Sequence, residues 1–185
     1  MEDSRFQLGE HLKRNNFFSG RVLRAEDFQA EQQYFLEKHR LHNRLLLGFG
    51  VVTGLEVSID KSSKNERVIR VKPGMAIDCL GREIILSELL EISVPACVDL
   101  KYVCIRYAEK KTDPIPVGDG DRPRNSKIEE SFEIALERLN PTRGHRRRKS
   151  RWLSCDKPHA IPLARLKHMS SGCRVDGRYH RPAIG

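Results

Sequence analysis

The feature that most constrains the fold is a change of hydrophobic period between two neighbouring segments. Residues 25–47 contain no proline and consist mainly of residues that favour helix, such as alanine, glutamate, glutamine, leucine and arginine. Gly48 and Gly50 follow, and glycine readily adopts the conformation that ends a helix. From residue 51 onward, apolar and polar residues alternate, most clearly over 55–59. The sequence therefore predicts an α+β fold with one long N-terminal helix followed by an antiparallel, β-rich domain.

Short apolar segments separated by turn residues continue the strand pattern. Strands are predicted at 51–59, 68–71, 83–86, 91–94, 101–107, 130–137 and 160–166. Residues 109–128 are rich in proline and glycine and are predicted to form a loop. Pro162 predicts an edge position for the last strand, and the tail beyond it has no clear pattern. This spacing is typical of a meander, a sandwich or a small barrel.

Composition divides the chain of 185 residues into three parts. Residues 1–50 are predicted to form an N-terminal arm and a docking helix, and 51–138 the β-rich domain. Residues 139–185 comprise a basic loop, a short strand and a C-terminal tail. No segment approaches the roughly 20 apolar residues of a membrane-spanning helix, and the first residues do not resemble a signal peptide. We therefore expect a cytoplasmic protein without membrane insertion.

The predicted helix has one broad apolar face. At about 100° per residue, two lines of side chains bound this face: Phe28, Phe35 and Leu46 on one, and Tyr34, Leu41 and Leu45 on the other. A helix of this length is marginal alone in water, so we expect the β-domain or a partner to bury the face. Polar replacement of Phe35 should therefore damage the fold or the assembly more than replacement of Gln33 or Arg40 on the opposite face.

Three polar residues, Glu31, Lys38 and His42, fall within this apolar arc. Burying them without partners is unfavourable, so they are expected to pair with one another, with the β-domain or with a partner chain. A structural network or an interface is favoured over catalysis, because no nucleophile or oxyanion site accompanies them. His39 and His42 supply only two metal ligands, which favours packing over metal binding.

Motifs of enzymes and cofactor-binding proteins are missing from the sequence. There is no phosphate-binding loop, no nucleophile elbow and no His-Glu-x-x-His motif. The glycines at 48–50 follow a helix and precede a strand, which is the reverse of a dinucleotide-binding fingerprint. The five cysteines are widely spaced, which favours reduced thiols over zinc ligands or disulfides. The sequence therefore predicts a protein that is not an enzyme and has no cofactor and no metal.

The net charge of +9 is concentrated in one loop at 143–152. Its candidate anion-binding residues are Arg146, Arg147, Arg148, Lys149 and Arg151. Clustered arginines bind phosphates, and Trp152 is suited to stacking on a base. A solvated loop and a contact with an acidic protein are equally compatible with this pattern. A nucleic-acid-binding module, with binding that weakens steeply as salt rises, is therefore the alternative hypothesis for function.

The segment 16–57 carries a long motif, F-F-S-G-R-V-L…E-D-F…E-Q-x-Y…L-H-N-R-L-L-x-G-x-G-V-V-x-G-L. It resembles a bacterial protein family that occurs with phage-tail-like contractile injection systems. Residues 71–84 and 162–166 are also similar to this family. The basic loop at 143–151 departs from the family pattern, so no role for it follows from the resemblance.

The resemblance implies a structural or adaptor component of such a system that is associated with its baseplate and acts through protein–protein contacts. Its partners would be other subunits of a large particle that is later released or becomes membrane-associated. In this interpretation, the polar row on the helix sets the register between subunits. The candidate partner-binding residues are Phe17, Phe18, Arg21, Phe28, Glu31, Tyr34, Phe35, Lys38 and His42.

Overall fold

The computed structural model describes residues 13–61, 66–95, 101–118, 122–142, 158–169 and 172–184. The predicted α+β class is confirmed, with one helical segment followed by an antiparallel, β-rich part. Helix α1 covers Ala25–His42, and a short π-helix, Asn43–Leu47, continues it. The predicted helical segment over 25–47 is therefore present, although its last turn is wider than an α-helical turn. Gly48, at φ +89°, ends it.

Ten strands follow within the described ranges. In chain order they are β1 (Gly50–Gly54), β2 (Val57–Lys61), β3 (Glu66–Val71), β4 (Gly74–Ile77), β5 (Glu83–Leu86), β6 (Leu90–Pro95), β7 (Tyr102–Ile115), β8 (Arg124–Glu137), β9 (Ile161–Met169) and β10 (Gly172–Val175). They form three sheets with the strand orders β1-β4-β5, β2-β3-β6 and β10-β9-β7-β8. All pairings within these sheets are antiparallel.

The hydrophobic core draws side chains from all three sheets. Val51 of β1, Ile69 of β3 and Ile105 of β7 belong to one buried cluster. In β5, Ile84 and Leu86 are buried while the residues between and before them are exposed. This alternation follows from the period of two along a strand, which directs every second side chain to the core.

The strand predicted over 51–59 is two strands that belong to different sheets. The chain bends between β1 and β2, where Gly54 and Leu55 both have positive φ, +62° and +58°. A Cβ at Gly54 would lie 2.0 Å from the carbonyl oxygen of Pro73, so only glycine fits there. Arg181 fixes the bend by donating hydrogen bonds of 2.7 Å to the carbonyl oxygens of Leu55 and Gly54.

The prediction of a loop over 109–128 was wrong, because strands β7 and β8 form a long hairpin that includes most of this segment. Strand β9 pairs with β7 only from Tyr102 to Ile105, so the hairpin extends well beyond its neighbour. Charged residues stabilise this outer part from strand to strand, as in the ion pair between Lys127 and Asp113. The proline at 114 lies near the tip of the hairpin, where a missing N–H disturbs few ladder bonds.

The edge position predicted from Pro162 was also wrong. Strand β9 lies between β10 and β7, so Pro162 is in an interior strand. It pairs with Cys104 where the register shifts after Val103, and such an irregularity accommodates a residue that has no N–H. The tail beyond 166, which showed no pattern in the sequence, contributes β10 to the same sheet.

A candidate docking surface on the arm and helix

The N-terminal arm, residues 13–24, is fastened to the first turn of α1. Arg21 forms an ion pair with Asp27 and donates a hydrogen bond of 2.7 Å to the carbonyl oxygen of Asn16. The side-chain amide of Asn15 donates to the carbonyl oxygen of Asp27 at 2.6 Å. The Asp27 carboxylate also accepts the backbone N–H of Arg24 at 3.0 Å, which caps the helix. The arm therefore has a defined position relative to the helix.

The same contacts keep Asp27 ionised. Its hydrogen bond from the Arg24 backbone N–H lowers the pKa of the carboxyl group, and the nearby Arg21 guanidinium lowers it further. A negative charge at this place also suits the positive end of the helix dipole. Arg21, one of the predicted partner-binding residues, thus has an internal role in holding the arm.

The arm that these contacts hold in place exposes apolar side chains to solvent. Phe18 is 65% exposed, and Phe17, Val22 and Leu23 are exposed as well. The guanidinium carbon of Arg21 lies 5.8 Å from the centre of the Phe17 ring, within the range of a cation–π contact. The arm therefore presents a group of apolar side chains to solvent on a framework of ionic and polar contacts.

The helix is attached to the β-rich part through polar residues near its C-terminal end. A guanidinium nitrogen of Arg40 lies 3.5 Å from a carboxylate oxygen of Glu109 in β7. The side-chain amide of Asn43 donates to the carbonyl oxygen of Gly81 at 3.1 Å and to Glu83 of β5 at 3.0 Å. None of these residues was singled out as a site from the sequence, because surface polar residues of this kind carry no pattern that identifies their partners.

A tight turn between β4 and β5 permits this attachment. Gly81 has φ +81°, and a Cβ there would lie 2.0 Å from the carbonyl oxygen of Arg40. Asp78 holds the turn, since its carboxylate accepts the backbone N–H groups of Leu80 and Arg82, both at 2.9 Å. The Arg82 side chain pairs with the same carboxylate at 2.7 Å. The helix backbone can therefore approach the turn closely only because residue 81 is glycine.

One line of the apolar face, with Phe28, Phe35 and Leu46, points away from this attachment, whereas Tyr34, Leu41 and Leu45 are half-buried. At about 100° per residue, Arg40 lies opposite the centre of the apolar arc. Phe28 and Phe35 are 58% and 51% exposed, Leu46 is exposed too, and no residue of the helical segment is buried. The β-domain therefore does not cover this line of side chains. Burial by a partner stays a prediction.

The three polar residues within the apolar arc do not pair with one another. One carboxylate oxygen of Glu31, Oε2, is buried and has no hydrogen-bond partner in the described part of the chain. The Lys38 amine lies 3.4 Å from the Tyr34 hydroxyl and 5.6 Å from the centre of its ring. His42 is exposed. The structure thus leaves Glu31 and Lys38 without an ion pair among the described residues.

These features define what we name the arm–helix surface. It consists of six exposed apolar side chains on two adjoining segments: Phe17, Phe18, Val22, Leu23, Phe28 and Phe35. Val22 and Leu23 were not predicted as partner-binding residues, because the arm has no period from which exposure could be inferred. Contiguous exposed apolar groups are typical of docking sites, and a docking role for this surface stays a prediction.

Other predicted sites lie elsewhere or outside the described residues. The basic residues Arg146–Arg148, Lys149 and Arg151 lie outside the described residues, so an anion-binding role for them stays a prediction. Among the described residues, no group of three or more His, Cys, Asp or Glu side chains is placed to hold a metal ion. None of the described helices has the length and apolar composition that crossing a membrane requires.

Two adjoining cavities lie at β9, β10 and the C-terminal residues. Their volumes are about 470 and 370 Å³, and Val175 and Asp176 line both. Neither cavity is lined by Glu31 or His42. The cavities and the polar row of the helix are therefore separate features.

Asp176 organises the wall of these cavities. Its buried carboxylate forms ion pairs with Lys167, at 2.9 Å, and with Arg165, and it accepts the backbone N–H of Arg178 at 3.1 Å. The hydrogen bonds from Lys167 and Arg165 hold the pKa of this carboxyl far below its ordinary value. The group is thus a saturated structural anion rather than an acid or base available for chemistry.

Buried thiols and phenols are also held in their neutral forms. Burial, with a smaller contribution from Glu137, raises the pKa of the Cys104 thiol to about 12. Burial likewise raises the pKa of the Tyr179 hydroxyl to about 12. Cys104 is a free cysteine. A thiol with so high a pKa is a poor nucleophile, because the thiolate is the reactive form.

Comparison with known proteins gives matches among solved structures alone: no family model and no curated protein matches the chain. The fold is similar to a chain in the crystal structure of TssK, with a TM-score of 0.54 and 14% identity over 94% of this chain and 42% of that one. It is also similar to a chain of the baseplate complex from the type VI secretion system, with a TM-score of 0.50 and 14% identity over 94% and 60%. At this identity, the likeness establishes a shared fold. The chain spans less than two thirds of either neighbour.

Proposed function

We propose that this chain is a structural component of the baseplate of a phage-tail-like contractile injection system and that it acts through protein–protein contacts, not as an enzyme. The observation that carries the proposal is the fold shared with TssK and with a chain of a type VI secretion baseplate complex. The motif at residues 16–57, which resembles a family that occurs with contractile injection systems, supports the same proposal independently.

The arm–helix surface supports a role in assembly. Its apolar side chains face solvent, whereas core residues of the β sheets such as Ile69 and Ile105 are fully buried, and burial of such side chains between subunits stabilises complexes. The internal ion pair of Arg21 with Asp27 holds the arm in place before any partner binds. A fixed surface loses less conformational entropy on docking than a flexible one. In the proposal, neighbouring subunits of the particle cover this surface.

The test is the composition of native particles. We expect the chain in intact particles, purified by sedimentation and analysed by mass spectrometry. Phe18→Asp should reduce its incorporation at least about tenfold, since a charge would be buried without a partner. Gln29→Asp, at an exposed position outside the surface, is the matched control and should leave incorporation unchanged. Particles that are complete without this chain would refute the proposal.

A further inference from the structure

The outer face of α1 carries a pattern that is complementary to itself. Phe28, Phe35 and His42 recur at intervals of seven residues, and Glu31 and Lys38 form a second, parallel series with the same interval. At about 100° per residue, a step of seven returns to nearly the same direction, so both series form narrow adjacent lines. Such lines are the geometry by which two helices pack side by side.

The two charges in this pattern lack partners of opposite sign. Glu31 has a buried carboxylate oxygen without a hydrogen bond, and Lys38 contacts only Tyr34 among the residues that the structure describes. Glu31 lies between the exposed Phe28 and Phe35 in the sequence of the helix, and Lys38 lies one turn after Phe35. An occupant that covered the rings would also have to supply a cation near Glu31 and an anion near Lys38, because unpaired buried charges are costly.

A second copy of the same helix meets this requirement. We propose that α1 pairs with α1 of another copy in an antiparallel arrangement, about a twofold axis close to Phe35. Glu31 and Lys38 lie four and three positions on either side of Phe35, so each Glu31 comes beside Lys38 of the other copy. The Phe35 rings pack against each other at the centre. The twofold axis repeats the charge pair on both sides of them.

The opposite orientation is unfavourable. In a parallel pair, Glu31 would lie beside Glu31 and Lys38 beside Lys38, and like charges at contact distance repel. The charge pattern thus selects the antiparallel orientation.

The rest of the chain leaves room for this contact. Arg40 holds the β-rich part on the side of the helix opposite to the pairing face, and Asn43 holds it on an adjacent side, at the C-terminal end. Helix α1 has 18 residues, about 27 Å in length, so antiparallel pairing places the two β-rich parts near opposite ends of the pair. The inference rests on the proposed function for the use of the arm–helix surface in assembly and names the occupant of its helical part.

Charge exchange in the full-length chain tests the pairing. We expect the purified chain to sediment as a dimer, with circular dichroism confirming that each variant folds. Glu31→Lys and Lys38→Glu should each weaken dimerisation at least about tenfold, since each turns two attractive contacts into repulsive ones. The double variant, with both changes, should return the dissociation constant to within about threefold of the wild-type value. Gln29→Lys is the control for added charge and should have no effect.

A wild-type chain that is monomeric at its highest soluble concentration would overturn this inference, and so would a double variant as weak as either single variant. Particle incorporation of the same variants separates this result from the proposed function. A monomeric chain found in intact particles refutes self-pairing and leaves the baseplate role standing. A dimeric chain that is absent from particles supports self-pairing and refutes the baseplate role.

Discussion

The β sheets and the helix of this chain both have amphipathic patterns, but they differ in whether the same chain buries the apolar side chains. In the sheets, the core-forming side chains pack against other strands of the same chain, and Ile69 and Ile105 are fully buried. In α1, one line of the apolar face is open to solvent, and Phe28 and Phe35 are more than half exposed. A hydrophobic period thus identifies which side of an element seeks burial but not which molecule provides it.

The two regions also differ in whether their buried carboxylate oxygens have hydrogen-bond partners. Asp78 and Asp176, in the β-rich part, are buried, and each is paired with an arginine and accepts backbone N–H groups. Glu31, on the helix, has a buried oxygen with no partner in the described ranges. Natively buried polar groups are usually satisfied within the chain. The contrast therefore suggests that the β-rich part is complete by itself and that the helix is not.

The sharpest test of this contrast compares a core residue with a helix residue. Ile105→Ala should lower the free energy of unfolding by about 2–5 kcal/mol, because it leaves a cavity in the core. Phe35→Ala should change it by less than about 0.5 kcal/mol, as expected for an exposed position. Urea denaturation of the isolated chain at low concentration measures both. A loss at Phe35 comparable with the loss at Ile105 would show that the helix face is part of the core.

A second test addresses the attachment of the helix. Gly81→Ala should lower the free energy of unfolding by about 1–3 kcal/mol, because the new Cβ meets the carbonyl oxygen of Arg40 and φ at this position is positive. Hydrogen exchange should become faster in α1 than in β7. Gly20→Ala is the matched control, since φ there is +91° but a Cβ would meet no atom within 4 Å. Equal effects of the two changes would mean that close approach at the turn does not hold the helix.

The smallest expected effect is a dependence of stability on pH. The pKa of Asp176 is lower in the folded chain than its ordinary value, so its contribution to stability is complete above that value and is lost as the pH falls below about 4. The melting temperature of the wild-type chain should therefore fall more steeply below about pH 4 than that of Asp176→Asn. Asp113→Asn, a change at an exposed ion pair, is the control and should keep the wild-type slope. Parallel slopes for Asp176→Asn and the wild type would contradict this role.

Periodicity predicted the elements in which apolar and polar side chains recur with the regular period of a helix or a strand. The helix over 25–47 and strands such as 83–86 follow from it, as does the α+β class. The bend at Gly54 and Leu55 was missed because it depends on positive φ and on contact with Pro73, which is distant in sequence. The long hairpin was missed because charged cross-strand pairs, rather than apolar alternation, support its outer part.

The candidate site was predictable to a similar extent. The aromatic residues of the arm and helix were predicted to be contact residues, and the structure leaves several of them exposed. The attachment through Arg40, Asn43 and Gly81 could not be inferred, because it joins polar groups that come together only in the folded chain. That attachment determines which side of the helix faces solvent, so the sequence could not choose between the β-domain and a partner as the cover.

The polar attachment of the helix also has a mechanical consequence. Arg40 contacts Glu109 of β7, whereas Asn43 contacts Glu83 of β5, and these strands belong to different sheets. A force applied to the arm–helix surface is therefore divided between two sheets. Conversely, a shift of one sheet against the other would tilt the helix and change the direction in which Phe35 points. The helix therefore connects two sheets as well as presenting a surface, and its orientation depends on the relative position of the two sheets.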